Sequence, residues 1–239
     1  MSRISGRKRN ELREVIIEPN VNKYAEGSCL ITWGNTKVLC TASIDEKLPP
    51  FLKNAGKGGW VTAEYSMLPR STQDRIQRDI SVGKPNSRGT EIQRLIGRSL
   101  RACMDMKALG DRQIIIDCDV LQADGGTRCA SITGGFVALS LAVKKLLNER
   151  KIKTNPISGT ITAVSCGIYK GNSILDLEYE EDSNADADVN FIINDKDELV
   201  EVQGTAEGKP FSFARLNEMY NLAVEGVKIL REKQLEAIR

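Results

Sequence analysis

The stretch that most constrains the fold runs from Gln113 to Arg150. An apolar, β-rich run up to Leu121 ends in Gln122-Ala123-Asp124-Gly125-Gly126-Thr127-Arg128, and a long apolar pattern follows it. Ile132, Phe136, Leu139, Val143 and Leu146 step by four and three, which is helical spacing. The segment therefore predicts a buried strand over Gln113–Leu121, a tight glycine turn and a helix from about Arg128 to Arg150. Gly134, Gly135, Ala138 and Ala142 give that helix a small-residue face suited to close packing. The turn has an ordinary reading, with Thr127 as helix cap and the glycines closing the bend. It also has a functional one. The unpaired N–H groups of a helix N-terminus attract an anion, and Arg128 in the first turn opposes the helix dipole unless an anion is present. Spacing alone leaves capped turn and phosphate site evenly matched. No lysine follows the glycines as in a P-loop.

The remaining chain supplies strands and two further helices. Val15–Ile17, Ser28–Trp33, Lys37–Ile44 and Trp60–Met67 read as strands, with a hairpin turn at Gly34-Asn35. Glu46–Gly59 reads as a loop. Thr90–Lys107 reads as a helix whose apolar face carries Ile92, Leu95, Ile96 and Leu100. Arg94, Arg98 and Arg101 form a basic stripe on it, read as a solvated face or a subunit contact. In the second half, Thr160–Tyr169, Ser173–Tyr179, Ala187–Ile193 and Leu199–Gly204 read as strands, and Phe211–Ile238 as a final helix. Gly34-Asn35-Thr36 and Gly171-Asn172-Ser173 echo one another, which suggests two related β-rich plus helix units, approximately residues 1–150 and 151–239.

Composition narrows the chemistry. The 239 residues include no histidine, which removes Ser-His-Asp and Cys-His catalysis and most zinc enzymes. Any metal must then take oxygen ligands, which favours Mg²⁺ or Mn²⁺. Thirty-four basic and 32 acidic residues leave a net charge of +2, so any nucleic-acid surface must be local. The six cysteines show no CxxC spacing and most sit among apolar residues, pointing to a reducing, cytoplasmic compartment. We find no signal-peptide core and no membrane-length apolar run, so no membrane partner is expected.

Three further stretches carry candidate chemistry. Arg70, Arg75, Arg78, Lys84 and Arg88 make a basic arm with few apolar residues, readable as an exposed loop or as a track for a phosphate backbone. Glu180–Asp188 holds five carboxylates. Asp186 and Asp188 enter a strand, where alternation puts both on one face, and converging carboxylates invite a cation. Glu201–Gly208 is either a bland loop or a wall of the site. A phosphate pocket, an acidic cation site and a basic arm, without histidine, suit phosphorolysis, in which phosphate is itself the nucleophile.

Several long motifs resemble the ribonuclease PH family: Leu39-Cys40-Thr41-Ala42-Ser43, Gly59–Tyr65, Met67-Leu68-Pro69-Arg70, Glu91–Arg101, Asp117–Arg128 and Glu201–Gly208. The resemblance runs nearly end to end. It implies an α+β fold of the ribosomal protein S5 domain 2 type, with two duplicated β-α-β-α-like units in one globular domain over 1–239. It also implies a phosphorolytic 3′→5′ exoribonuclease that trims tRNA precursors and other RNA 3′ ends. Such an enzyme uses inorganic phosphate as co-substrate, releases nucleoside diphosphates reversibly, needs Mg²⁺ or Mn²⁺ and assembles as a homohexamer, a trimer of dimers. Carried over residue by residue, the phosphate site falls on Arg88, Gly126, Thr127 and Arg128, with Arg88, Thr127 and Arg128 catalytic. RNA contacts fall on Arg70, Arg75 and Arg78, and the metal on Asp182, Asp186 and Asp188. Ser5-Gly6-Arg7 departs from the family's Asp-Gly-Arg, and Asn86-Ser87-Arg88-Gly89 from its Gly-Gly-Arg-Thr. Cys129 beside the phosphate site suggests sensitivity to oxidation. The rival readings are a non-catalytic RNA-binding ring subunit of the same fold, which typically lacks the phosphate arginine or the acidic cluster, and a small-molecule phosphorylase.

Overall fold

A computed structural model describes residues 3–53, 56, 58–78, 81, 83 and 86–239; Lys84 of the basic arm lies outside the described residues. Five strands, β1 (Val15–Pro19), β2 (Gly27–Trp33), β3 (Thr36–Asp45), β4 (Trp60–Met67) and β5 (Gln113–Gln122), form one sheet in the order β1-β2-β3-β5-β4. All neighbours are antiparallel except β4 and β5, which run parallel. The β4-to-β5 crossover is made by α1 (Ser87–Arg101) and the short α2 (Met106–Leu109). Behind β5 comes α3 (Thr127–Asn148). The second sheet is antiparallel and holds β6 (Ile161–Tyr169), β7 (Asn172–Leu175), β8 (Ala187–Asn194) and β9 (Leu199–Ala206) in the order β7-β6-β8-β9. A single helical turn, α4 (Tyr179–Asp182), links β7 to β8, and α5 (Phe213–Ile238) closes the chain.

The centre of the molecule is α3. It packs on β2 and β3 of the first sheet and on β6 of the second. Its Ile132, Leu139 and Leu146 are wholly buried, and each such side chain contributes about 1.5–3 kcal/mol. The small-residue face has the expected use. A Cβ on Gly134 would lie 2.9 Å from both Cys40 Sγ and Ile31 Cγ2, so only glycine lets the helix seat this deeply on β2 and β3. All nine residues of β6 are buried, and both α3 and α5 pack against this strand.

Some expectations change. By length and composition α3 could cross a membrane, contrary to the sequence reading, but 78% of its apolar window is buried inside the fold, as befits a core helix. The helix expected over Thr90–Lys107 begins at Ser87, because the Asn86 side chain caps it by accepting from the Arg88 N–H. It stops at Arg101, and Asp105 caps the separate α2. The strand expected over Ser173–Tyr179 ends at Leu175, where Asp176 takes a left-handed conformation (φ 56°) and α4 follows.

Candidate active site

The ends of β4 and β5, the first half of β8, the starts of α1 and α3 and the single turn α4 converge on a cavity of about 640 Å³. One wall is the turn Asp124-Gly125-Gly126 with Thr127 and Arg128 behind it. Gly126, not Thr127, occupies the cap position of α3. Its φ of 68° is left-handed, and no side chain caps the helix. The first N–H groups of α3 therefore meet the cavity without a side-chain acceptor. Gly125 (φ 74°) lies where the turn crosses the start of α4, and a Cβ there would be 2.6 Å from the Leu177 carbonyl oxygen. Thr36 pins the turn from the β2–β3 hairpin: its hydroxyl donates to the Gly125 carbonyl (2.7 Å) and accepts from the Asp124 N–H (3.0 Å).

Thr127, released from capping, holds its hydroxyl 2.9 Å from the Tyr65 hydroxyl. Burial raises the Tyr65 pKa despite that hydrogen bond and the nearby positive charges of Arg88 and Arg128, so the phenol stays protonated. Arg128 donates to Gln203 of β9 (3.1 Å) and faces Glu91 of α1 at 3.7 Å. Arg88, in the first turn of α1, lines the same cavity. The four phosphate-site residues read from the sequence thus share one enclosure.

Asp182, at the end of α4, and Asp188, in β8, line the opposite wall. Desolvation, and then the neighbouring Asp188, raise the Asp182 pKa, although Arg88 and Arg128 oppose the shift. Asp186 is exposed and does not line the cavity with them, because β8 begins one residue later, at Ala187. Among the described residues no three metal-ligating side chains converge. Two carboxylates across the cavity from an uncapped helix N-terminus nevertheless suit Mg²⁺, which commonly takes one or two carboxylates and completes its shell with water and phosphate oxygens.

Arg70, Arg75 and Arg78 are exposed on the loop after β4. They do not line the cavity, but Gln73, Asp74 and Ile76 of the same loop do. Sequence reasoning missed Tyr65, Asn190 and Ser165 in the strands, and Tyr179 at the mouth. The signal for Asn190 is a lone amide inside the apolar run of β8. The undecided Glu201–Gly208 stretch proves to be wall: Glu207 lines the cavity, Gln203 holds Arg128, and Glu201 takes a bidentate pair from Arg98. Cys129 is only 1% exposed, with its Sγ 3.1 Å from Asn190 Oδ1, and desolvation pushes its thiol up to about 12. The expected oxidation sensitivity does not follow, since the thiolate is absent near neutral pH.

The family model described as 3′ exoribonuclease family, domain 1, matches residues 11–145, and that of domain 2 matches 159–226. A ribonuclease PH of Cereibacter sphaeroides is 58% identical over 236 residues, covering 99% of each chain. One of Caulobacter vibrioides is 55% identical over the same length and coverage. Among solved structures, an Archaeoglobus fulgidus exosome with RNA bound to the active site superposes with a TM-score of 0.80 at 22% identity, over 97% of this chain and 92% of that one.

Proposed function

The chain belongs to the ribonuclease PH family and is a phosphate-dependent 3′→5′ exoribonuclease, a tRNA nucleotidyltransferase; on that premise we propose how its residues divide the reaction. Inorganic phosphate sits at the start of α3. The N–H groups of Thr127 and Arg128 and the Thr127 hydroxyl bind its oxygens, and Arg88 and Arg128 neutralise its charge. A phosphate oxygen attacks the last phosphodiester of the RNA. The bond to the penultimate 3′ oxygen breaks, and a nucleoside diphosphate leaves. The chain contributes position and charge rather than a general base, in keeping with its lack of histidine. The observation that carries this reading is the meeting of Arg88, Thr127, Arg128, Asp182 and Asp188 around one cavity.

Asp182 and Asp188 would hold Mg²⁺ or Mn²⁺, which supplies charge neutralisation at the phosphates; Asp186 is the less placed of the three aspartates. Arg70, Arg75 and Arg78 steer the RNA 3′ end, such as that of a tRNA precursor, along the loop whose other residues line the cavity. The two halves of 1–239 are read as copies of one β-rich plus helix unit. A homohexamer is supported by complementary surfaces: exposed Arg94 on α1, and half-buried Asp117 and Asp119 on β5, whose pKa values are raised by burial and by Glu64. Six free, buried cysteines fit a cytoplasmic location.

The test is an RNA with an unpaired 3′ end. Nucleoside diphosphates released only with phosphate are expected, and monophosphates released equally well without it would overturn the mechanism. Arg128→Ala separates catalyst from binding subunit: turnover falls while tRNA binding persists.

A further inference from the structure

The segment before β1 buries Arg3 and Arg13, and half-buries Arg7, against the second half of the chain. Arg13 is only 8% exposed. Its Nη2 lies 2.7 Å from Asp176 Oδ1, its Nε 3.1 Å from Oδ2, and its backbone N–H donates to Oδ2 at 2.7 Å. Asp176 is 1% exposed and also accepts from Trp33 Nε1 (3.0 Å) and Arg7 Nη1 (3.1 Å). The remaining Arg13 nitrogen, Nη1, donates to the Asp124 carbonyl in the phosphate turn. A Cβ on Gly126 would lie 3.2 Å from Arg13 Nη2, so the guanidinium also backs the cap residue of α3.

The same network reaches the opposite wall. Arg3 forms a buried bidentate pair with Glu181 (2.8 and 2.6 Å) and donates to the Asp176 carbonyl (2.8 Å). Glu181 closes the capping box of α4, whose Tyr179 and Asp182 line the cavity. Arg7 joins the two pairs, touching Asp176 and Glu181, with its Nε on Ser5 Oγ at 3.0 Å. Ser5 thus serves as acceptor at the position where the family carries aspartate.

Resting on the reading that phosphate sits at the start of α3, we propose that Arg13, anchored by Asp176, is a positioning residue of the phosphate turn. It fixes where the Gly126–Arg128 N–H groups aim without touching phosphate. Through Arg3 and Arg7 the same buried network registers the phosphate wall against the acidic wall. The Asp176 carboxylate accepts from five donors, three on Arg13 and one each on Trp33 and Arg7, more than packing alone requires. The geometry says why a lysine fails here: one ammonium cannot both fork onto the Asp176 carboxylate and reach the Asp124 carbonyl.

The experiment is steady-state kinetics on Arg13→Lys, below its own melting midpoint, with Val227→Ala of the α5 core as a variant of lowered stability remote from the site. Arg13→Lys is expected to raise KM for phosphate about tenfold while KM for RNA changes little, since a small misplacement of binding groups weakens one substrate selectively. Val227→Ala is expected to lose melting temperature and keep the wild-type phosphate KM. Should Arg13→Lys not fold, Asp176→Asn, which keeps the shape and weakens the anchor, takes its place with the same expectation. A wild-type phosphate KM in the folded variant overturns the inference. Arg128→Ala run alongside separates the two levels: if it raises the phosphate KM and Arg13→Lys does not, only the positioning role falls. If neither moves it, the placement of phosphate falls too.

Discussion

Tyr65 Oη and Thr127 Oγ1 stand 2.9 Å apart, a hydrogen bond between the end of β4 and the first residue of α3. The pair ties the orientation of the threonine hydroxyl to the first sheet. Because Gly126 caps the helix, that hydroxyl has no capping duty and can face an anion. Tyr65→Phe keeps the ring and removes only this bond. A bond of this kind is worth about 0.5–1.5 kcal/mol, so kcat/KM for phosphate should fall roughly two- to tenfold with little change in melting temperature. Wild-type phosphate kinetics in the variant would deny Tyr65 any part in the site.

Gly125 and Gly171 share a left-handed φ of 74° but not their surroundings. Alanine at Gly171 meets nothing within 4 Å, so it should cost only the backbone term of about 1–2 kcal/mol. Alanine at Gly125 adds a collision with the Leu177 carbonyl and the start of α4, and must push the phosphate wall from the acidic wall. Gly125→Ala should therefore destabilise more in urea melts and lose most phosphorolytic activity, while Gly171→Ala keeps it. Equal losses in both would show that the crossing does not set the cavity.

How far the sequence reached depends on what kind of contact built each part. The Gly125–Arg128 turn, α3 and the sheet strands follow from local patterning, and the periodicities found them. Arg13 and Asp176 are 163 residues apart in sequence, and neither carries a periodic or turn signal. Only the tertiary approach of the N-terminal segment to the second half reveals them. Asp182 and Asp188 meet across a turn and a strand, so strand alternation, which groups Asp186 with Asp188, grouped the wrong neighbours for the cavity wall. Helix boundaries moved where a side chain took a cap, at Asn86 and Asp105, which composition does not rank.

All six cysteines are buried, and desolvation pushes both Cys103 and Cys129 up to about 12. A thiol reagent at pH 8 should leave the native enzyme active and label none of them quickly, then label all six in urea. Rapid modification of Cys129 in the folded protein, with loss of activity, would contradict this burial.

Asp182 and Asp188 face each other's charge, and each lines the cavity. A cation bound there relieves that repulsion only in the folded state. Added Mg²⁺ should raise the melting temperature, by mass action on the native form. Asp182→Asn should raise the melting temperature of the cation-free protein and abolish the Mg²⁺ response. An unchanged response in the variant would move the cation elsewhere.

Asp176 contributes to the pH dependence of the folded state. Burial alone would raise its pKa, but the charge and hydrogen bonds of Arg13, with Arg7 behind it, overcome this and hold the carboxyl below its ordinary value. A carboxyl that binds its proton less readily when folded adds stability that is complete above its unfolded pKa of about 4 and lost as pH falls through the folded value. Removing the charge leaves Arg13 buried without its partner, which costs about 3–5 kcal/mol. Asp176→Asn should thus melt well below wild type at pH 7. The gap should narrow as pH falls below about 4, because wild type then protonates the same group and loses the same interaction. Melting curves of both proteins between pH 7 and pH 3 measure it. A gap that stays constant to pH 3 would mean that the arginine network does not depend on the ionised form of Asp176.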